Sequence, residues 1–403
     1  MGLGRSHSFW SRLRLVLSGG FVLSALGCAG SAVDSTTGDV GFMPTDGIGG
    51  TNPDEPNGNG NGEPETCAAN AVQCGDVCCP AAPPSGTLAL LGPVTDGRIA
   101  VSVTGAPHIV FRSAGGELRH AGWGDGGWSV TRIDPSGGHN AAIAVDASGN
   151  PHVCYSRGDA TTTSTLYYAR FNGQQWLFSS WPDTTGKCAI AVTSNGTPHL
   201  LFQYNGTSPG LVYTRKESSG WKATRITASR PAELALAVDS KSSAHIAFIE
   251  GGSTTAEVRY TTSAKLTEVT TVRATDGSAV EELELAVDGS NAPQVGYMLR
   301  KADNTRTFAF SVARNGTWTE SLPMQQLATD DTFDMTVDTL GRTHLVVTSA
   351  STPLELHRRE SGSWRWVETL EEVASSASIA ADKYGRSHIF GSGETPFYYS
   401  VAP

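Results

Sequence analysis

The chain runs to 403 residues with 39% hydrophobic and only 17% charged side chains, enough apolar material for one large repeat domain or several ordinary ones. A formal net charge of −10 argues against a nucleic-acid partner, or an anionic membrane held by charge. The 46 Gly and 20 Pro suit short strands joined by many turns, and no apolar run reaches the length of a transmembrane helix.

Residues 1–27 have the anatomy of an export signal. Arg5, Arg12 and Arg14 precede a short apolar stretch, Leu15 to Leu26, broken by Ser18, Gly19, Gly20 and Ser24. The segment Ser24-Ala25-Leu26-Gly27-Cys28 resembles a bacterial lipobox, with Ala25 where that pattern usually has Leu. The resemblance implies cleavage before Cys28 and a diacylglycerol on its thiol, so that the chain's membrane partner is reached through a lipid anchor. Ala29, where Asp would signal inner-membrane retention, implies the outer membrane and the cell surface.

Residues 28–66 are mostly Gly, Asn, Pro, Thr and acids with almost no large apolar residue, and between Arg14 and Arg98 there is no Lys, Arg or His. Such a segment cannot bury enough surface to offset its ordering entropy, so a flexible, disordered tether is expected. From Ala29 to Pro84 it would reach about 40 Å on average. At residues 67–84 the cysteines Cys67, Cys74, Cys78 and Cys79 predict a small knot. With Cys28 lipidated, six cysteines remain in an oxidising compartment. Two bridges in the cluster and one between blades, Cys154 to Cys188, would use them all, with the pairing inside the cluster left open. The spacing lacks the paired C-x2-C knuckles of a zinc site, so no metal is expected.

From Ser85 to Pro403 a repeat appears. Ala142-Ile-Ala-Val-Asp146-Ala-Ser-Gly149-Asn-Pro-His152 has six relatives, anchored at His108, His199, His245, Gln294, His344 and His388, 44 to 50 residues apart. Six residues before the anchors stand Ser102, Asp146, Thr193, Asp239, Asp288, Asp338 and Asp382. Each copy reads as four strands: an Ala-rich first strand, a Gly/Asn turn, a second opening at the anchor, an aromatic third, and a fourth opened by Trp128, Trp176, Trp221, Trp318 or Trp364, with Leu266 in the fourth copy. This is the period of a propeller blade, and the expected fold is all-β, a seven-bladed β-propeller of four-stranded antiparallel blades over residues 85–403. Small residues such as Ala100, Ala144 and Ala237 suit the narrow hub, and the Trp residues the wide rim. The last copy lacks a fourth strand, and Thr87-Leu88-Ala89-Leu90-Leu91 is predicted to supply it and close the ring.

A catalytic pair is needed once, whereas the Asp and His recur around the chain. The Asp is expected to cap its turn through backbone N–H groups and the His to hydrogen-bond near the strand entrance. Arg170, Arg215, Arg314 and Arg358 end third strands and are expected at the surface. The period, the hairpins Gly316-Thr317-Trp318 and Gly362-Ser363-Trp364 and the aromatic third strands resemble the BNR/Asp-box propellers, the class that includes sialidases. The Asp-box pattern itself is not met, its nearest remnant being Asp125-Gly126-Gly127-Trp128, and no catalytic residue carries over.

One ring is not uniform. Just before the first strands stand Asp96, Asn140, Lys187, Glu233, Glu282, Asp331 and Ser376, with Glu281, Asp330, Glu371 and Glu372 beside them. Asp96, Glu233, Glu282 and Asp331 are the candidate ligand residues of a channel mouth that would take a cation, an amine or sugar hydroxyls. No phosphate loop, zinc-protease helix or calcium loop is present, and no cofactor is expected. The leading reading is a surface-tethered binding or scaffold propeller for a glycan, a peptide or another envelope protein. The alternatives are a glycan-acting hydrolase or lyase on the same fold, and a purely structural envelope protein.

Overall fold

The computed structural model describes Cys67 and residues 71–74, 77–158, 163–231, 233–252 and 255–403. The export signal, Cys28 and the tether expected over 28–66 lie outside the described residues.

The repeat folds as four-stranded antiparallel meanders. The first comprises Val94–Val101, Pro107–Ser113, Leu118–Gly124 and Gly127–Asp134, hydrogen-bonded in chain order. The innermost strands of later meanders are His139–Val145, Leu234–Val238, Ala279–Val287, Thr332–Val337 and Ser376–Ala381. The long strand Trp176–Val192 serves twice. Its first half is the outer strand of the second blade and pairs with Ser164–Phe171; its second half is the inner strand of the third and pairs with Pro198–Tyr204. Blades two and three are thereby one continuous sheet, and the chain holds seven four-stranded units. The fourth blade, with Leu266 in place of Trp, has the shortest outer strand of the six that follow a third strand directly, Thr270–Arg273.

No sheet closes on itself; packing completes the circle. The inner strands touch one another in order, and the seventh touches the first. Seven buried clusters fill the gaps between neighbouring blades, including Ile99, Phe111, Phe390 and Tyr398 between the last blade and the first. Near the rim, five Trp lie edge-on to the third-strand ring of the preceding blade, as Trp221 does to Tyr168 with centroids 5.0 Å apart and Trp128 to Tyr398 at 5.5 Å.

The closing segment differs from its prediction. Only Gly86–Thr87 pairs, with Phe397–Tyr398. Ala89–Leu91 is a 3-10 turn, and Leu88 and Leu91 are buried between the last and first blades. After Thr87 the chain must cross from the outer edge of one blade to the hub of the next. The apolar run that reads as a strand is the wedge that fills this crossing.

All six described cysteines are bridged: Cys67 to Cys78, Cys74 to Cys79, and Cys154 to Cys188 across blades two and three. The knot is a hairpin, Ala71–Cys74 with Val77–Pro80. Arg386 Nη1 donates to the Pro80 carbonyl at 2.8 Å, which sets the knot against the turn that follows the seventh inner strand.

Candidate functional site

The repeated Asp is a turn cap. In five blades its Oδ1 accepts the backbone N–H groups two and four residues on, at 2.7–3.0 Å, as Asp146 does from Ser148 and Asn150. Its Oδ2 accepts from the anchor His Nε2 at 3.1–3.3 Å in four blades. That bond fixes the tautomer, so His152, His245 and His388 receive a Tyr O–H at Nδ1, at 2.6–2.7 Å; His199, whose blade has Thr193 in place of the Asp, has Tyr213 Oη 2.6 Å from its Nδ1. The first blade substitutes Ser102 and His120, and His108 Nδ1 lies 3.1 Å from His120 Nε2. Arg170 joins the cap of Asp146, and Arg215 pairs with Glu217. Arg358, expected at the surface, is 1% exposed and donates to the Ala402 carbonyl. It faces His344 across the strand pair, where an inward side chain is covered by the neighbouring blade.

The hub holds a cavity of about 220 Å³ walled by the N-terminal halves of the inner strands. Ten residues before each anchor, one position per blade faces it: Arg98, Ala142, Ala189, Ala235, Glu284, Asp334 and Ser378. Three consecutive blades thus present only methyl groups, and the four consecutive blades from the fifth round to the first present an acid, an acid, a hydroxyl and a guanidinium. In the sequence the Ala run of the first strands masks this ring, and the fixed offset from the anchors is the signal that finds it.

These polar groups are unequally satisfied. Asp334 accepts the N–H of Met335 at 2.7 Å and of Ile379, in the next blade, at 3.0 Å. Ser378 Oγ accepts the Ile99 N–H at 3.3 Å. Arg98 donates only to the carbonyl of Gly97, and Glu284 makes no side-chain hydrogen bond or ion pair among the described residues. Burial, then the charge of Asp334, pushes the Glu284 carboxyl well above its usual range, against the pull of Arg98 and Lys187. Burial also raises Asp334, opposed by Arg98 and its hydrogen bonds. Burial raises Glu284 more strongly than Asp334, because Asp334 has the N–H donors that stabilise an anion and Glu284 has none. For Arg98, burial works against the charge, but Asp334, Asp96, Glu284 and Glu233 outweigh it and raise its pKa.

Of the four mouth residues singled out from sequence, Asp96 and Glu233 stand on the cavity wall, together with Asn140 and Lys187. Lys187 Nζ donates to Glu233 at 2.7 Å, while Asp96 has no ion pair among the described residues. Glu282 and Asp331 do not line the cavity. Glu282 sits in a β-bulge at φ 51 and accepts from Arg306 at 2.8 Å and from the Phe333 N–H at 3.1 Å. Asp331 is one residue out of register with the others, and its carboxylate accepts the Ala328 N–H in its own turn. Among the described residues no three His, Cys, Asp or Glu side chains are grouped to hold a metal ion.

A ring of four-stranded meanders around a polar hub defines a β-propeller. Solved structures place it in the same class. A polysaccharide lyase, an ulvan lyase bound to -[GlcA(1-4)Rha3S]-, aligns with a TM-score of 0.58 at 11% identity, over 77% of this chain and 94% of its own. The polysaccharide lyase Uly1 aligns with a TM-score of 0.52 at 10% identity, over 76% and 89%. At these identities the likeness is one of fold. No family model matches the chain, and no curated protein matches it.

Proposed function

We propose that this chain is a lipid-anchored binding propeller of the outer-membrane surface whose hub takes a hydroxyl-rich or amine-bearing group of a glycan. The observation that carries the reading is the polar arc of Arg98, Glu284, Asp334 and Ser378 in a cavity whose other wall is alanine. Buried polar groups are normally satisfied, and Glu284 and Arg98 keep unused hydrogen-bonding capacity toward the lumen. Carboxyl and guanidinium groups facing one lumen suit vicinal hydroxyls, and the carboxylate of Asp96, which has no ion pair among the described residues, suits an amine. The knot touches the turn after the seventh inner strand, at the end away from the cavity. A tether leaving from there would hold the cavity mouth outward.

A glycan-acting enzyme is the second reading. It is favoured by one observation, two carboxyl groups in the hub, Glu284 and Asp334, of which only Asp334 has N–H donors, an unequal pair suited to acid–base work. The two lyases of this fold are compatible with it. A glycan array on the full chain, with calorimetry on the hits and product analysis alongside, separates the readings. Glu284→Gln should weaken the best hit about tenfold, the worth of one buried hydrogen bond to a charged partner. Binding of every hit unchanged by Glu284→Gln would remove the hub as the site. Product formed by the native chain and lost in this variant would establish the enzyme.

A further inference from the structure

Two arginines of neighbouring blades, Arg314 and Arg359, have no hydrogen bond or ion pair among the described residues. Arg314 ends the third strand of the fifth blade, two residues beyond Val312, which faces the Gln294 anchor, and its side chain is exposed. Arg359, in the sixth blade, lies over the ring of Phe310 in the fifth, 5.0 Å from its centroid. Both arginines line a cavity of about 780 Å³ in the gap between the two blades. Asp288, the carboxylate on the same wall, is occupied by the Ser290 and Ala292 N–H groups and by Gln294. Burial and the charge of Arg314 hold Arg359 below the ordinary guanidinium value, so an anion between the two cations would relieve their repulsion.

A second cavity of about 660 Å³, between the fourth and fifth blades, meets the first at Ser290 and Arg314. Trp318, half-buried and edge-on to Tyr260, forms part of its wall. The two together make a groove along the rim, with an indole in one cavity, Arg314 where the cavities meet and Arg359 in the other. Paired guanidinium groups match the planar oxygens of a carboxylate or sulfate, and an indole face matches the apolar face of a sugar ring.

We propose that this rim groove is a binding site separate from the hub, and that its ligand is an acidic oligosaccharide whose carboxylate or sulfate bridges Arg314 and Arg359 while a neighbouring sugar lies on Trp318. The full chain, titrated by calorimetry with oligogalacturonate, with heparin fragments and with neutral dextran oligomers, tests it. At least one acidic series should bind and dextran should not. The tighter of the two acidic series distinguishes carboxylate from sulfate. Arg314→Gln and Arg359→Gln should each lower the affinity about tenfold and flatten its salt dependence. Arg132→Gln, on the exposed surface of the first blade, should change nothing. Dextran binding as tightly as the acidic oligomers, native affinity in both groove variants, or a phosphopeptide that binds there and is not displaced by the acidic oligomers would each overturn the proposal.

Discussion

His344 and Asp338 are both fully buried, and their bond at 3.1 Å is one instance of a pair that recurs around the ring. Burial pushes the imidazoles of His108 and His199 down to about 4, and it lowers His152, His245, His344 and His388 in the same direction. An unfolded His titrates near 6.5. Between pH ~6.5 and ~4 the unfolded chain therefore takes up protons that the folded chain refuses. Stability should be full above this window and fall as the pH drops through it. Burial also disfavours the charge on Asp146 and Asp338, but hydrogen bonds from Asn150 and His152, and from His344 and Arg342, outweigh it and hold both near 2. A second loss should follow as the pH falls from the ordinary carboxylate range toward that value. Urea midpoints at neutral pH and at mild acidity check the first step, and equal midpoints would contradict it. At this scale the sequence was legible, because a turn cap is a local device. Asp at a fixed six residues before His can be read without knowing what surrounds it, whereas Arg358 could not be placed, since the blade that buries it lies elsewhere in the chain.

The strand Trp176–Val192 shows what an element adds. It runs through two blades without a break, and the Cys154–Cys188 bridge fastens its second half to the blade that its first half completes. A bridge closing a separation of 34 residues constrains the unfolded chain by about 3–4 kcal/mol. Paired replacement of Cys154 and Cys188 by Ser should lower stability by about that amount, read as a shifted denaturation midpoint. An unchanged midpoint would mean that the bridge adds nothing beyond the shared strand. The even cysteine count pointed to the bridge. The continuous strand was not foreseen, because Trp176 and His199 mark separate repeats and nothing local says that the chain stays extended between them. The closing run failed for a related reason: Leu88 and Leu91 are apolar because two blades meet over them, and apolarity alone does not distinguish a wedge from a strand.

For the whole molecule, the proposed arrangement is a tether on one face of a ring and a cavity opening toward the other. Its most direct test is the anchor. Cys28→Ala should move the protein from the membrane fraction to the soluble fraction after cell lysis, while a retained membrane fraction would remove the lipid from the proposal. A single acyl signal binds reversibly, so a diacylglycerol is the smallest attachment that would hold the ring at the surface.

The sequence by itself determined the number of repeats, the strands that lie within each, the turn chemistry and the small-to-large gradient from hub to rim, because each is written within one period. Only the tertiary structure decided which polar groups meet. Arg98 and Glu284 belong to the first and fifth repeats and come within electrostatic reach across a hub that exists only once the last blade packs on the first. Glu282 looked available from the chain and is taken by Arg306 and by the Phe333 N–H of the neighbouring blade. Strand alternation tells which way a side chain points; it does not tell what stands opposite, and that depends on how the wedges close.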